Sequence, residues 1–234
     1  MILAGPTCSI CGGRSFTSRK VLWPELIAEW QLSEAEAAYI DDQQGCSCDD
    51  CGANLRAVAL GDAIRSATGL ARPLRSIEQA PEAARLRILD LNGAPAISPA
   101  LAALPHYKRG NYPEIDMQAM PFDDGDFDLV IHSDTLEHVP HPVLALQECR
   151  RVLAPGGSLC FTVPIVFGRL TRSRAGLPKS YHGDPAASAD DLLVQTEFGA
   201  DAWRFLFEAG FHAIGVYAVK YPAAIAFRAE RNSI

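Results

Sequence analysis

Phe127-Asp-Leu-Val-Ile-His-Ser-Asp-Thr-Leu-Glu-His138 decides the fold. Its opening residues form an apolar run of strand length. Pro142 then opens a segment in which Leu146, Cys149 and Leu153 recur at helical spacing, before Pro155-Gly-Gly157 breaks it. The order is a buried strand over 127–131, a polar loop, a helix, a tight turn and a second strand over 158–163. In an open α/β sheet, the loop leaving a strand's carboxyl end is where ligands are handled. Here that loop gathers His132, Ser133, Asp134, Glu137 and His138, so a site is expected there.

Outward from this core, Arg87-Ile-Leu-Asp-Leu91 reads as a strand and Asn92-Gly-Ala-Pro-Ala96 as a small-residue turn. Ser98 is the expected cap of a helix over 99–104. Residues 199–210 have the spacing of an amphipathic helix stopped by Gly210, 212–219 alternate as a strand, and 223–228 give another. Alternating strands and helices predict an α/β fold, a doubly wound, mostly parallel Rossmann-like sheet. At 234 residues and 48% hydrophobic, the chain can bury one substantial core and carry a small appendage. No apolar run approaches the ~20 residues that span a bilayer, and 1–6 lack the basic start and apolar core of a secretory signal. A cytoplasmic protein without membrane contact is expected. The formal charge of −7 disfavours a nucleic-acid partner.

Three motifs then follow in order: Met120-Pro-Phe-Asp-Asp-Gly-Asp-Phe-Asp-Leu-Val130, Leu136-Glu-His-Val139 and Arg151-Val-Leu-Ala-Pro-Gly-Gly157. Together they resemble the successive motifs of class I S-adenosylmethionine-dependent methyltransferases (methyltransferase type 11-like), over residues 86–219. The resemblance implies S-adenosylmethionine as methyl donor. It implies that Asp116 accepts a hydrogen bond from the adenine amino group and that Met117 packs on the adenine ring. Asp90, Asn92 and Gly93 would meet the donor's methionine side, with His132 and Ser133 near the sulfonium and the substrate. Two departures stand out. The family's Asp-x-Gly-x-Gly-x-Gly is here Asp90-Leu-Asn-Gly-Ala-Pro-Ala96, and no acid stands between Asp90 and Glu114 to hold the ribose hydroxyls. The short segment there predicts a trimmed second strand and helix.

Five of the seven cysteines precede residue 52. Cys8-Ser-Ile-Cys11-Gly and Cys48-Asp-Asp-Cys51-Gly are two C-x-x-C-G units, each able to present two sulfurs to one ion from a tight turn. They predict a structural Zn²⁺ held by Cys8, Cys11, Cys48 and Cys51. Cys46 is a rival to Cys48, and a set of reduced thiols in a small core is the bland alternative. Helices are expected over 23–30, 33–40 and 55–69. The expected division is a zinc-ribbon-like module with a helical insert over 1–69, a connection, and a methyltransferase domain over 82–234.

Residues 165–197 have little regular pattern and read as a lid or substrate insertion. Within 165–185, Arg169, Arg172, Arg174 and Lys179 face one acid, Asp184, which suits an anionic group on the substrate. His182, set between Tyr181 and Gly-Asp-Pro, is a candidate general base. The functional expectation is O- or N-methylation of a small or medium metabolite, anionic ones included; sugar, nucleotide-sugar and secondary-metabolite acceptors all fit. His182, His132 and Ser133 are the catalytic candidates. An RNA methyltransferase and a non-catalytic binding or assembly protein on the same fold are the alternatives. The first is opposed by seven Lys and Arg against ten Asp and Glu over 1–80; the second is motivated by the altered glycine motif. Monomer and homodimer are both open.

Overall fold

The computed structural model describes residues 6–181 and 192–232. Near the N-terminus, β1 (Phe16–Thr17) pairs antiparallel with β2 (Ser47–Cys48), and α1 (Pro24–Glu29) and α2 (Glu34–Gly45) lie between them in sequence. Pro24 sits in the first turn of α1, where its missing N–H costs nothing. The Ser33 hydroxyl accepts the Glu36 N–H while the Glu36 carboxylate accepts the Ser33 N–H, a reciprocal pair that fixes the start of α2.

Asn54 caps α3 (Leu55–Thr68) by accepting the Ala57 N–H at 2.9 Å. Its apolar face, with Val58, Ala59 and Ile64, shares one core with Ile88, Leu129, Ile131 and Cys160 of the central strands. Cys8, Ile10, Cys46 and Cys48 belong to that same cluster. So the helix expected to close the N-terminal module packs on the sheet instead, and the two parts are joined through one core.

The sheet comprises β3 (Ile88–Leu91), β4 (Tyr107–Gly110), β5 (Phe127–Ser133), β6 (Leu153–Thr162), β10 (Ile214–Val219) and β11 (Ala224–Glu230), in the order β10-β11-β6-β5-β3-β4. Strands β4, β3, β5 and β6 run parallel, while β11 lies antiparallel to β6 and β10 antiparallel to β11. One face is covered by α3 and α4 (Ser98–Leu101). The other carries α5 (Pro142–Val152) and α6 (Arg204–Glu208), through Leu146, Cys149 and Leu206 against Leu89, Val130 and Phe161. The doubly wound α/β expectation is met. No helix among the described residues is long and apolar enough to cross a membrane.

Four expectations are corrected. The second strand is present as β4, and what is trimmed is the helix after it: between β4 and β5 runs a turn-rich loop. Ser98 is the first residue of α4 rather than its cap, because its hydroxyl is engaged by Asp90. The stretch over 199–210 yields only the short α6. Its start is drawn into β9 (Thr196–Gly199), which pairs with β7 (Ile165–Val166) and β8 (Arg172–Ser173), so strand pairing overrides the helical spacing. The insertion therefore contains a small sheet of order β7-β9-β8. Finally, α5 stops at Val152, and Pro155-Gly-Gly157 lies within β6, held there by Gly156 and Gly157 bonding to Arg231.

Candidate active site

Strands β3 and β5 are adjacent and parallel, with Leu91 opposite His132. Their carboxyl ends therefore bring Asn92-Gly93 and Ser133-Asp134 side by side, about one strand spacing (~4.8 Å) apart. Both ends turn sharply. Asn92 has φ 61°, Gly93 φ 77° and Asp134 φ 51°, conformations that side-chain-bearing residues rarely adopt and that cluster at functional sites.

Asp90 is fully buried. Its carboxylate accepts from the Ser98 hydroxyl at 2.5 Å and the Tyr107 hydroxyl at 2.7 Å, and burial pushes its pKa up against those bonds. It thus organises the turn beneath Gly93 instead of facing a ligand. The exposed Arg109 lies across that turn. A Cβ on Gly93 would stand 2.6 Å from the guanidinium, which donates to the Asn92 carbonyl at 3.2 Å and to Asn111 at 3.0 Å. Pro95 is exposed and lines a surface groove with Cys51, Arg75 and Pro99, so it does not block the turn from above. Asp116 caps its own turn, accepting the Gln118 N–H at 2.8 Å, and Met117 is buried in the cluster that contains Leu91.

The polar loop after β5 divides in two. His132 has no exposed surface and stacks on Phe161, ring centroids 4.7 Å apart; burial pushes its pKa down to about 3, against the pull of Glu137. It is thus a neutral, buried residue, where the sequence had suggested a place near the substrate. Ser133 bonds to Thr162 at 3.0 Å. Asp134 turns outward and pairs with Arg56, from the first turn of α3, at 2.8 Å. His138 gives Nδ1–H to the Leu193 carbonyl at 3.1 Å and sets Nε2 3.6 Å from the buried Glu137.

Asp134, Arg56 and His138 meet at a cavity of about 400 Å³. Its far walls come from α1 and α2 (Trp23, Leu26, Trp30, Ile40) and from the insertion (Ile165, Val166, Tyr181). Sequence reasoning missed Arg56 and placed His138 in the polar loop without a role. Nothing local ties Arg56 to Asp134, and their meeting depends on α3 lying over the sheet. His182 lies outside the described residues.

Three of the four basic residues expected to greet an anion are engaged elsewhere, and the fourth, Lys179, is exposed. Arg169 bonds Glu36 and the Trp30 and Gln31 carbonyls, the last two at 2.7 Å each. Arg172 and Arg174 both pair with Glu197, and Arg174 also covers the Trp30 ring.

At the N-terminus the sulfurs of Cys8, Cys11, Cys48 and Cys51 all lie within 4.8 Å of one another, and Cys46 is not among them. The two knuckles are alike: Gly12 and Gly52 have φ 87° and 74°, and each donates its N–H to the first cysteine's carbonyl at 2.8 Å. A tetrahedral shell with Zn–S of about 2.3 Å sets its sulfurs about 3.8 Å apart; the Cys8–Cys51 and Cys11–Cys48 pairs stand at 3.6 Å. Burial pushes the Cys8 and Cys51 thiols up.

Residues 67–161 match the family model described as a methyltransferase domain. The ubiquinone biosynthesis O-methyltransferase of Nitrosococcus oceani is 31% identical over 80 residues, 34% of each chain. An uncharacterized methyltransferase of Mycolicibacterium vanbaalenii is 30% identical over 105 residues, 45% of this chain and 41% of the other. The aligned segments thus span well under half the length of these relatives. Among solved structures, an S-adenosylmethionine-dependent methyltransferase from Mesorhizobium loti aligns at TM-score 0.38 and 16% identity, over 68% of this chain and 95% of that one. The CurJ carbon methyltransferase aligns at TM-score 0.43 and 14% identity, over 89% and 70%. The matched segment lies on the parallel strands and the ligand-handling loops just described, so residues 67–161 are similar to a methyltransferase domain.

Proposed function

We propose that the protein transfers a methyl group from S-adenosylmethionine to an oxygen or nitrogen of a small molecule bound in the cavity beside Asp134. The observation that carries this reading is the juxtaposition of two strand ends. The turn after β3, where the family binds the donor, adjoins the Asp134 turn after β5, which opens into the cavity. The chain's residues fit the donor on two sides. Asn92 and Gly93 open the backbone for the amino-acid tail, while Asp116 and the buried Met117 suit adenine. On the ribose side Arg109 and Asn111 stand where the family has an acid, and the guanidinium over Gly93 is exposed rather than buried.

When bound, the donor supplies a methyl carbon on a sulfonium. Asp134, held by Arg56, accepts a hydrogen bond from the acceptor's O–H or N–H, which points the nucleophile toward the β3 turn. As the methyl group that the donor would supply passes to the acceptor, with S-adenosylhomocysteine as the leaving product, Asp134 would take the acceptor's proton. The thiols of Cys8, Cys11, Cys48 and Cys51 would hold a Zn²⁺, and an all-cysteine ligand set would give that ion a structural role.

Asp134→Asn tests the assignment. It keeps the shape of the turn and removes the proton acceptor, so turnover of labelled S-adenosylmethionine falls roughly 100-fold or more, while S-adenosylhomocysteine binds as before. Full turnover in this variant would remove Asp134 from the mechanism.

A further inference from the structure

The cavity is walled by two segments that lie outside the central sheet and its covering helices, and they meet on one side chain. Trp30, at the end of α1, donates its indole N–H to the Ser180 hydroxyl at 2.9 Å. Arg174 lies over the Trp30 ring, 5.4 Å from its centroid. Arg169 bonds the Trp30 carbonyl, and the Tyr39 hydroxyl of α2 accepts the Phe167 N–H at 2.7 Å. Trp30, Ile40, Val166 and Val194 form a separate apolar cluster, with Leu22, Leu26 and Leu32 packed against it. The helices between the two cysteine knuckles are thereby fixed to the insertion after β6, and the wall they form is set in place before any ligand arrives.

The chemistry of that wall is one-sided. Around it stand Trp23, Leu26, Trp30, Ile165 and Val166, with Gln43, Gln44, His138 and Tyr181 as polar neighbours, while among the described residues the charged groups lining the cavity are Arg56 and Asp134, which already face each other at 2.8 Å. An anionic ligand would meet a carboxylate and find the nearby cation already paired. Burying a charge without a partner is costly. A neutral ring system would gain apolar burial along the wall and could offer one hydrogen to Asp134. The volume of about 400 Å³ sits at the small end of ligand pockets, which run roughly 300–1,000 Å³.

We infer that the acceptor is a neutral, hydroxylated aromatic molecule of one or two rings, its rings against the Trp23–Leu26–Trp30 wall and its hydroxyl on Asp134. The helices between the cysteine knuckles set this selectivity. The inference rests on the methyltransferase reading for the word acceptor, and on the cavity alone for the chemistry of its occupant.

The test uses three probes on the full chain, without donor, followed by calorimetry: 2-naphthol, its anionic twin 2-naphthyl phosphate, and glucose 1-phosphate. Saturable 2-naphthol binding is expected, at least ~10-fold tighter than either phosphate. Leu26 is only half-buried, so Leu26→Glu puts a carboxylate into the wall without opening a core cavity. It is expected to weaken 2-naphthol at least ~10-fold and to leave S-adenosylhomocysteine binding unchanged, which also verifies the fold. Equal or tighter binding of either phosphate overturns the inference. So does absent 2-naphthol binding, or 2-naphthol binding indifferent to Leu26→Glu. A wild-type protein that binds 2-naphthol but not S-adenosylhomocysteine leaves the cavity's chemistry standing and sinks the methyl-transfer reading.

Discussion

His132 and Asp134 sit two residues apart and have opposite fates. The alternation of β5 sends His132 against Phe161 of the neighbouring strand, and the left-handed turn at Asp134 sends that carboxylate outward. Burial holds the His132 imidazole neutral, with a pKa near about 3 against 6.5 for a free histidine. Both folded and unfolded chains are neutral there above pH 6.5. As pH falls below that value only the unfolded chain takes up the proton, so stability declines progressively toward pH 3. His132→Leu is expected to flatten this acid limb, and thermal melts at pH 7 and pH 5 would register it; an unchanged pH 5 to 7 difference would contradict the buried, neutral assignment. The sequence displayed a polar cluster in the right loop. Which members faced the core depended on Phe161 and on a backbone turn at a non-glycine residue, and neither carries a local signal.

At the scale of elements, the wall of the cavity hangs on Arg169. It neutralises Glu36 and satisfies two carbonyls at the end of α1. Burial opposes ionisation of Glu36, yet the bonds from Arg169 and Ser33 outweigh it and hold that carboxyl below its usual range. Arg169→Ala leaves these acceptors without their donor, at a cost of about 1.5–3 kcal/mol for hydrogen bonds to a charged group. The expected result is a lower melting temperature together with weakened 2-naphthol binding. Unaltered values of both would mean the two segments are not coupled. The helices near 24–29 and from Ser33 onward were legible from spacing alone. The role of the insertion's arginines was not: they resembled an anion site, and their partners lie far off in sequence, at Glu36 and Glu197. The strands over 165–199 were hidden for a related reason, since each is short and none is stable without the other two.

Across the whole molecule, the cysteine knuckles, α3 and the sheet share one core. Strand order along the chain and the two C-x-x-C-G turns were readable because each is a local pattern; the sharing of a core by residues near Cys8, Ile64 and Leu129 was not. Cys48→Ser is expected to abolish metal binding and depress the melting temperature, whereas Cys46→Ser retains about one zinc per chain by elemental analysis. Zinc lost with Cys46 and kept without Cys48 would reverse the ligand assignment. The central claim remains that the Gly93 turn, though poor in glycine and crossed by Arg109, admits an adenosyl ligand beside Asp134. Calorimetric titration of the purified protein with S-adenosylhomocysteine examines it most directly. The account predicts saturable binding of one ligand per chain, weakened at least ~10-fold by Asp116→Ala. Neither heat nor a thermal shift at millimolar ligand would contradict it.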